Sequence, residues 1–385
     1  MPKGPLDGVR VIELCSWFTG AMAACIMADQ GADVIKIEPP GGDPFRMTGT
    51  SRNGHNAIFM AANRNKRSII LDLKQPDHKD ALLALIEQAD VFIQNAKPGA
   101  MDRLGLSADA LRARFPRLIY ASISGYGQTG PNASEGAFDT MLQALSGLAV
   151  IQGGKGNRPQ MVRTLLPDKM TSPIVAQAIS SALFQRERTG QGCTIEYAML
   201  DGMIWWMWPD AMMNHSFIGG DVREGVDIAE VDLICKTQDG YLVATAHQQK
   251  EWEQFLELIG RPELNDDPRF ATARARGSNL DAYTAILRES FGGRTTEQWC
   301  ALLRERGIPC APVLTPEELV AYPQVVWNEA IEEVEHPEAG RHKSARAPVR
   351  FDGYAAGVLR PSPAAGADTA DVLREFGIEL SGADR

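Results

Sequence analysis

No two cysteines stand in CxxC spacing: Cys15, Cys25, Cys193, Cys235, Cys300 and Cys310 are scattered through 385 residues without a pairing rhythm. That excludes a disulfide scaffold and a zinc ribbon, and predicts reduced thiols in a cytoplasmic protein. The six histidines form no HxH, HxxxH or HExxH spacing, so no metal site is expected. No GxSxG elbow presents a serine nucleophile. No apolar run reaches transmembrane length, since WWMWPDAMM is interrupted by Pro209 and Asp210. The opening MPKGPLDGVRVIEL lacks the apolar core and small-residue cleavage site of a leader, so a soluble chain is expected. Excess positive charge is missing too. A formal net charge of −10 argues against nucleic-acid and membrane partners, although a local basic pocket remains compatible with it.

What is present has the rhythm of an α/β protein. Candidate strands at 9–14, 32–37, 68–73, 91–95 and 118–124 are β-branched and apolar. Helical stretches at 20–30, 77–88 and 108–114 lie among them, and such alternation implies parallel βαβ units. The texture turns polar and glycine-containing near Gly219, predicting a linker over 201–224. Residues 233–246, broken by the Asp239-Gly240 hairpin signal, predict two antiparallel strands. Helices expected at 250–259, 280–289 and 296–306 complete a small α/β domain over 225–320. Residues 1–200 and 321–385 are then assigned to a large Rossmann-like domain that ends in a short helix, 369–376. The tryptophans Trp205, Trp206 and Trp208 fall at helical spacing, which is more often core or subunit interface than acyl pocket.

Three features carry possible chemistry. Gly125-Tyr126-Gly127-Gln128-Thr129-Gly130 matches GxGxxG after a strand, but Pro131 to Gly136 is loop chemistry, not the helix start a dinucleotide site needs. Basic residues gather in Asn63-Arg64-Asn65-Lys66-Arg67 and recur at Lys74, Lys97 and Arg103. Several at strand ends together suggest a polyanionic ligand such as a phosphorylated cofactor, though each alone reads as solvated charge. The stretch TLLPDKMTSP places Asp168 just before an expected helix over 173–188, with Thr171 or Ser172 as cap and Pro173 at the first turn. There the positive end of a helix favours an ionised carboxylate, and its residues alone leave helix-entry punctuation and chemistry both open.

The order and spacing of several segments resolve more. PLDGVRVIEL, GADVIKIEPPGGDPFR, NRNKRSIILDLK, NAKPGAMDRLGL, PRLIYASISGYGQTGP, GAFDTMLQALSGL, PDKMTSPIVAQAISSALFQRERTGQG and DTADVLREFGIEL together resemble the class III CoA-transferases. Formyl-CoA and carnitine CoA-transferases and the α-methylacyl-CoA racemases share that pattern. The resemblance runs from residue 5 to about 376 and is thin only over roughly 205–232. It implies a Rossmann-like large domain with a parallel sheet built from both chain ends, a small α/β domain and an interlocked homodimer. It implies no permanently bound cofactor, with acyl-CoA and a carboxylic acid as substrates.

The resemblance also implies roles. Asp168 stands where the family carries the carboxylate that attacks the thioester. Trp17, Phe18 and Thr19 would approach the pantetheine end of CoA. Leu71, Asp72, Lys74, Asn95, Ala96, Lys97 and Arg103 would hold the nucleotide and phosphates, and Gly136, Ala137, Phe138 and Asp139 would border the thioester. The chain departs from the pattern at Pro39, where some members carry a basic residue, and in its glycine-rich lid, echoed only by Gly219-Gly220 and Gly225. The racemases carry a histidine where this chain has Phe138, and a phenyl ring can neither take nor give a proton. Covalent CoA transfer is therefore the expected activity, with racemisation or non-catalytic acyl-CoA binding as the alternatives.

Overall fold

A computed structural model describes residues 4–222, 224–354 and 356–380, and the chain divides into two compact units. The first combines Met1–Ala149, Met161–Trp206 and Gln324–Arg385. Its centre is a six-stranded, all-parallel sheet: β1 (Arg10–Leu14), β2 (Asp33–Glu38), β3 (Lys66–Ile70), β4 (Val91–Gln94), β5 (Ile119–Ser124) and β6 (Thr194–Ala198). The spatial order β3-β2-β1-β4-β5-β6 reverses direction between β1 and β4. In an open α/β sheet that reversal leaves a crevice at the carboxyl ends of the two strands, where ligands bind.

Period-two alternation sends neighbouring residues to different cores. Val11, Val34, Val91, Ile93 and Ala121 pack against helices α1 (Thr19–Ala28) and α3 (Leu166–Thr189). Ile12, Ile35, Phe92 and Tyr120 pack on the opposite side with the helix Pro76–Glu87 and with Val372 and Phe376. Both faces are covered, which is why these strands read as continuous apolar runs. A short helix, α2 (Asp139–Leu145), lies between β5 and α3 in sequence.

The structure corrects the expected composition of the sheet. Both chain ends belong to the first unit, but all six strands come from residues 10–198. The C-terminal segment contributes an antiparallel hairpin, Ile331–His336 with Gly340–Ala345, and the helix Thr369–Glu375. Trp205 and Trp206 are exposed in this unit, so they are not core.

The basic cluster also has another explanation. Lys66 is fully buried and donates to Glu13 Oε2 at 2.7 Å, Asn63 Oδ1 at 2.8 Å and the Ala21 carbonyl at 2.7 Å. Arg64 closes on Asp29, and Arg67 on Asp33 and Glu375. Lys66 and Arg67 begin β3, at the sheet edge opposite the ligand-binding ends, so they hold the fold together instead of a phosphate.

Lys66 is one part of a buried charge cluster. Glu13 takes Lys66 on one oxygen and Lys36 on the other, the latter at 2.9 Å. Lys36 also reaches Asp43 Oδ2 at 2.9 Å and the Cys15 carbonyl at 2.8 Å. Burial opposes ionisation of Glu13, but the two ammoniums hold its carboxyl below the usual range. Two cations and two carboxylates balance, which is the condition under which buried charge is tolerable.

The second unit comprises Val150–Gln160 and Met207–Pro323. Strands β7 (Ile234–Lys236), β8 (Tyr241–Ala244) and β9 (Cys310–Pro312) form an antiparallel sheet in the order β9-β8-β7. The Asp239-Gly240 turn is closed by Thr237 N–H on the Gly240 carbonyl at 3.0 Å. Helices Gln249–Leu258, Leu280–Ser290 and Thr296–Glu305 bury Trp252, Phe255, Tyr283 and Trp299 around it. Among the described residues no helix is long and apolar enough to cross a membrane, and no group of His, Cys, Asp or Glu could hold a metal.

Glu13→Gln takes from Lys66 its carboxylate partner and leaves Lys36 paired with Asp43. Breaking a buried pair in this way costs about 3–5 kcal/mol, so urea unfolding should shift by that amount. A loss below about 1 kcal/mol would mean that the cluster is not energetically closed.

Candidate active site

Three segments of the first unit converge near the carboxyl end of β1. The first is the loop Cys15–Phe18. Asn95, just past β4, clamps it by accepting from Ser16 N–H at 3.0 Å and donating to the Ser16 carbonyl at 2.7 Å. Trp17 N–H reaches Asp43 Oδ1 at 3.3 Å, so the loop rests on the buried charge cluster. Trp17 itself has φ +66°, a left-handed conformation that is an outlier for a bulky residue and costs of order 1 kcal/mol or more. Nearly half exposed, its ring stands edge-on to Phe138, with centroids 6.3 Å apart. At the α1 entry, Gly20 is required: a Cβ there would lie 2.3 Å from Cys15 Sγ.

The second segment is the start of α3, which begins earlier than expected, at Leu166. Pro167 occupies a first-turn position, where its missing N–H and fixed φ are harmless. Thr171 and Ser172 are therefore interior residues, not caps, and their hydroxyls turn back onto carbonyls. Thr171 Oγ1 donates to the Pro167 carbonyl at 2.8 Å. Ser172 Oγ lies 2.8 Å from the Asp168 carbonyl and 2.9 Å from that of Thr19, tying α3 to α1. Pro173 lies within the helix. Asp168 thus sits in the first turn, where the helix dipole favours an anion. Thr19 Oγ1, from the first residue of α1, donates to Asp168 Oδ1. Lys169 turns away, is exposed, and donates to Thr164 Oγ1 at 2.6 Å.

The third segment is Gly136–Asp139, entering α2. Ala137 packs so closely on Gly125 that a Cβ on that glycine would fall 2.0 Å from Ala137 Cβ. The glycine-rich turn thus opens no helix and makes room for this loop. Phe138 is exposed, whereas Asp139 is buried and accepts from Gln143 Nε2 at 2.6 Å. Burial pushes the Asp139 carboxyl up, against Gln143, the nearby Asp168 amide dipole and Lys169. Burial likewise raises Asp168, to about 6. The Thr19 hydroxyl works against that rise, and the Asp139 charge adds to it.

Beside this convergence lies a cavity of about 580 Å³ at the carboxyl ends of β1 to β4. Trp17, Leu71, Asp72, Lys74, Asn95 and Ala96 line it, so most of the residues expected to hold CoA share one space. Trp17 belongs both to this cavity and to the pair with Phe138. Four of the ten residues expected to hold CoA do not line it: Phe18, Thr19, Lys97 and Arg103. Lys97 borders an adjoining polar cavity of about 550 Å³, and Arg103 lies on the exposed face of Ala100–Leu104. Asn95 lines the cavity but spends its amide on the Ser16 backbone. Among the residues missed from sequence are Ser16, Asp43, Met101 and Leu104. A charged residue inside each of two apolar runs, Glu13 in VIEL and Lys36 in VIKIE, was the available signal for the cluster beneath.

Residues 6–369 match CoA-transferase family III. The chain belongs to that family. It is an enzyme of the class III CoA-transferases, whose reaction moves CoA between acyl-CoA and a carboxylate. The probable fatty acyl-CoA transferase Rv3272 of Mycobacterium tuberculosis is 33% identical over 97% of this CoA-transferase and 98% of that protein. The acetyl-CoA:oxalate CoA-transferase of Acetobacter aceti is 36% identical over 92% and 90%. A crystal structure of an aspartate-to-alanine mutant of Rv3272 superposes with a TM-score of 0.87 at 32% identity, covering 97% of this chain and 99% of that one. A CAIB/BAIF family protein from Brucella suis gives 0.83 at 32% identity, over 97% and 100%.

Because burial favours protonated Asp168, ionising it costs the folded state stability as pH rises from about 4 through about 6. Asp168→Asn cannot ionise. Its stability relative to the parent is expected to grow by about 1–3 kcal/mol across that range and to level off above it. Denaturant titrations at several pH values measure this, and a pH-independent difference would contradict a desolvated carboxylate.

Proposed function

We propose that this enzyme transfers CoA from an acyl-CoA thioester to a carboxylic acid through covalent intermediates on Asp168. One Asp168 oxygen, Oδ2, attacks the thioester carbonyl and expels CoA thiolate, leaving a mixed anhydride. The thiolate attacks Asp168 Cγ, the Cγ–Oδ2 bond breaks, and the donor acid departs with that oxygen. The resulting aspartyl-CoA thioester is attacked at Cγ by the acceptor acid, expelling thiolate. The thiolate then attacks the acceptor's acyl carbon, the acyl C–O bond breaks, and the Asp168 carboxylate leaves with one acceptor oxygen. Activation is conserved at every stage, so no nucleotide is consumed.

The observation that carries this reading is the carboxylate of Asp168, partly withdrawn from water in the first turn of α3 and held by the Thr19 hydroxyl, two residues from the cavity-lining Trp17. Desolvation makes such a carboxylate a better nucleophile, and a value near 6 leaves it ionised at neutral pH. Two-base racemisation is disfavoured. By the family resemblance Phe138 stands where a racemase carries its second base, and Asp139 is buried with one oxygen on Gln143. The CoA contacts we propose are those lining the cavity, with Lys74 nearest in character to a phosphate partner. Interlocked dimerisation, and the division into large and small domains about a linker at 201–224, are proposed on the family resemblance.

Relatives named for oxalate, glutarate and citramalate all handle acids with a second carboxylate, while Rv3272 is named for fatty acyl groups. Both classes belong in the acceptor screen. Acyl-CoA and hydroxylamine incubated with the enzyme should leave a hydroxamate on Asp168 in peptide mass spectra. Asp168→Ala is expected to lose transfer by at least about 10³-fold. A fully active Asp168→Ala protein would rule the reading out.

A further inference from the structure

Thr19 was expected to touch the pantetheine end of CoA, yet its hydroxyl is committed elsewhere. It is 6% exposed and donates to Asp168 Oδ1. Its backbone is fixed as firmly: the carbonyl accepts from Ser172 Oγ, and Gly20 lets α1 begin in contact with Cys15. The donor is therefore held by two elements before any substrate arrives.

We infer that Thr19 is the oxyanion donor for the two steps in which Asp168 Cγ is attacked, and that it serves the nucleophile, not CoA. The inference rests on the covalent reading above and adds to it a division between the two oxygens of one carboxylate.

Charge on Oδ1 changes through the reaction in a way that decides when Thr19 helps. In the resting carboxylate Oδ1 carries part of the negative charge. When Oδ2 attacks the thioester, that charge flows to the substrate carbonyl and to the departing sulfur, and the Thr19 bond weakens. When CoA thiolate then attacks Cγ, the C=Oδ1 electron pair moves onto Oδ1, and a full oxyanion forms next to the Thr19 proton. Collapse restores C=Oδ1 and expels the donor acid with Oδ2. The acceptor acid's attack on the aspartyl-CoA thioester repeats the event at the same atom. A donor that binds more tightly in the transition state than in the states on either side accelerates those steps, and a preorganised one in a water-poor site does so most. For the first attack, Thr19 stabilises the ground state and gives no acceleration.

The test follows an oxygen atom. The acceptor acid, labelled with oxygen-18 in its carboxylate, leaves one labelled oxygen in Asp168 each time it passes through the anhydride. Peptide mass spectrometry after rapid quench, with enzyme in excess over substrate, gives the rate of label entry. In the parent enzyme a gain of one heavy oxygen at Asp168 is expected, and its absence would overturn the covalent reading itself. Thr19→Val should slow label entry by about 10²–10³-fold, with the Michaelis constant for acyl-CoA little changed. Thr19→Ser, which restores the hydroxyl, should return to within about tenfold. Circular dichroism and a single cooperative unfolding transition confirm that Thr19→Val is folded. A second readout is the pH profile. Losing the bond that opposes desolvation should move the acid limb of the Thr19→Val profile to higher pH. Label entry at the parent rate in Thr19→Val would overturn the inference and leave the covalent reading standing. So would a raised Michaelis constant with unchanged single-turnover chemistry, which returns Thr19 to the substrate.

Discussion

The carboxylate of Glu13, closed on both sides by lysine ammoniums inside the sheet, is the contact on which the rest of the site depends. Neither lysine could be buried without it, and it could not be buried without them. The cluster reaches the functional end of the fold through covalent neighbours and hydrogen bonds. Lys36 holds the Cys15 carbonyl and Asp43; Asp43 holds Trp17 N–H; Lys66 holds the carbonyl of Ala21 in α1. An apolar core of the same volume would fill the space. It would not fix the direction of a four-residue loop whose central tryptophan lies in an unfavourable backbone region. The cost of buried charge is matched by geometric definition where the sheet order reverses.

That definition is what lets a carboxylate remain reactive. Asp168 is pulled two ways: its helix start and the Thr19 hydroxyl favour the anion, while burial and Asp139 oppose it. Burial dominates, so the folded state holds a group it would be more stable without. Such a conflict is uncommon in a structural residue and ordinary in a functional one. Helix-entry punctuation would show the reverse balance, an exposed carboxylate stabilised by its cap.

Much of this was legible in the sequence, and the failures have physical causes. Strands were found because residues such as Val34, Ile35, Val91 and Phe92 are apolar on both faces, and a parallel sheet covered by helices demands that pattern. Lys66 and Arg67 were misread because one-dimensional charge does not reveal which end of a strand meets the ligand, nor that Glu13 waits two strands away. The α3 start was misplaced because Thr171, Ser172 and Pro173 form a good entry signal locally. Pro167 forms an equally good one six residues before Pro173, and tertiary bonds from Ser172 to Thr19 decide between them. Asn95 lines the cavity, but its second role on the Ser16 backbone was not legible, because that contact joins positions 79 residues apart.

The misplaced helix start matters for chemistry as well as for boundaries. Had Thr171 or Ser172 been the cap, Asp168 would lie outside the helix on a loop, free to choose among rotamers. With the helix beginning at Leu166, the Asp168 backbone is fixed by the first turn, and the Ser172 hydroxyl holds the Thr19 and Asp168 carbonyls together. One carboxylate oxygen then has a fixed donor. Attack on a carbonyl carbon needs an oxygen that accepts charge and another group that leaves, and a symmetric, freely turning carboxylate distinguishes neither. Registering α1 against α3 by one serine hydroxyl makes the two oxygens of Asp168 inequivalent before any substrate arrives, and that asymmetry is what a double displacement at a single side chain requires.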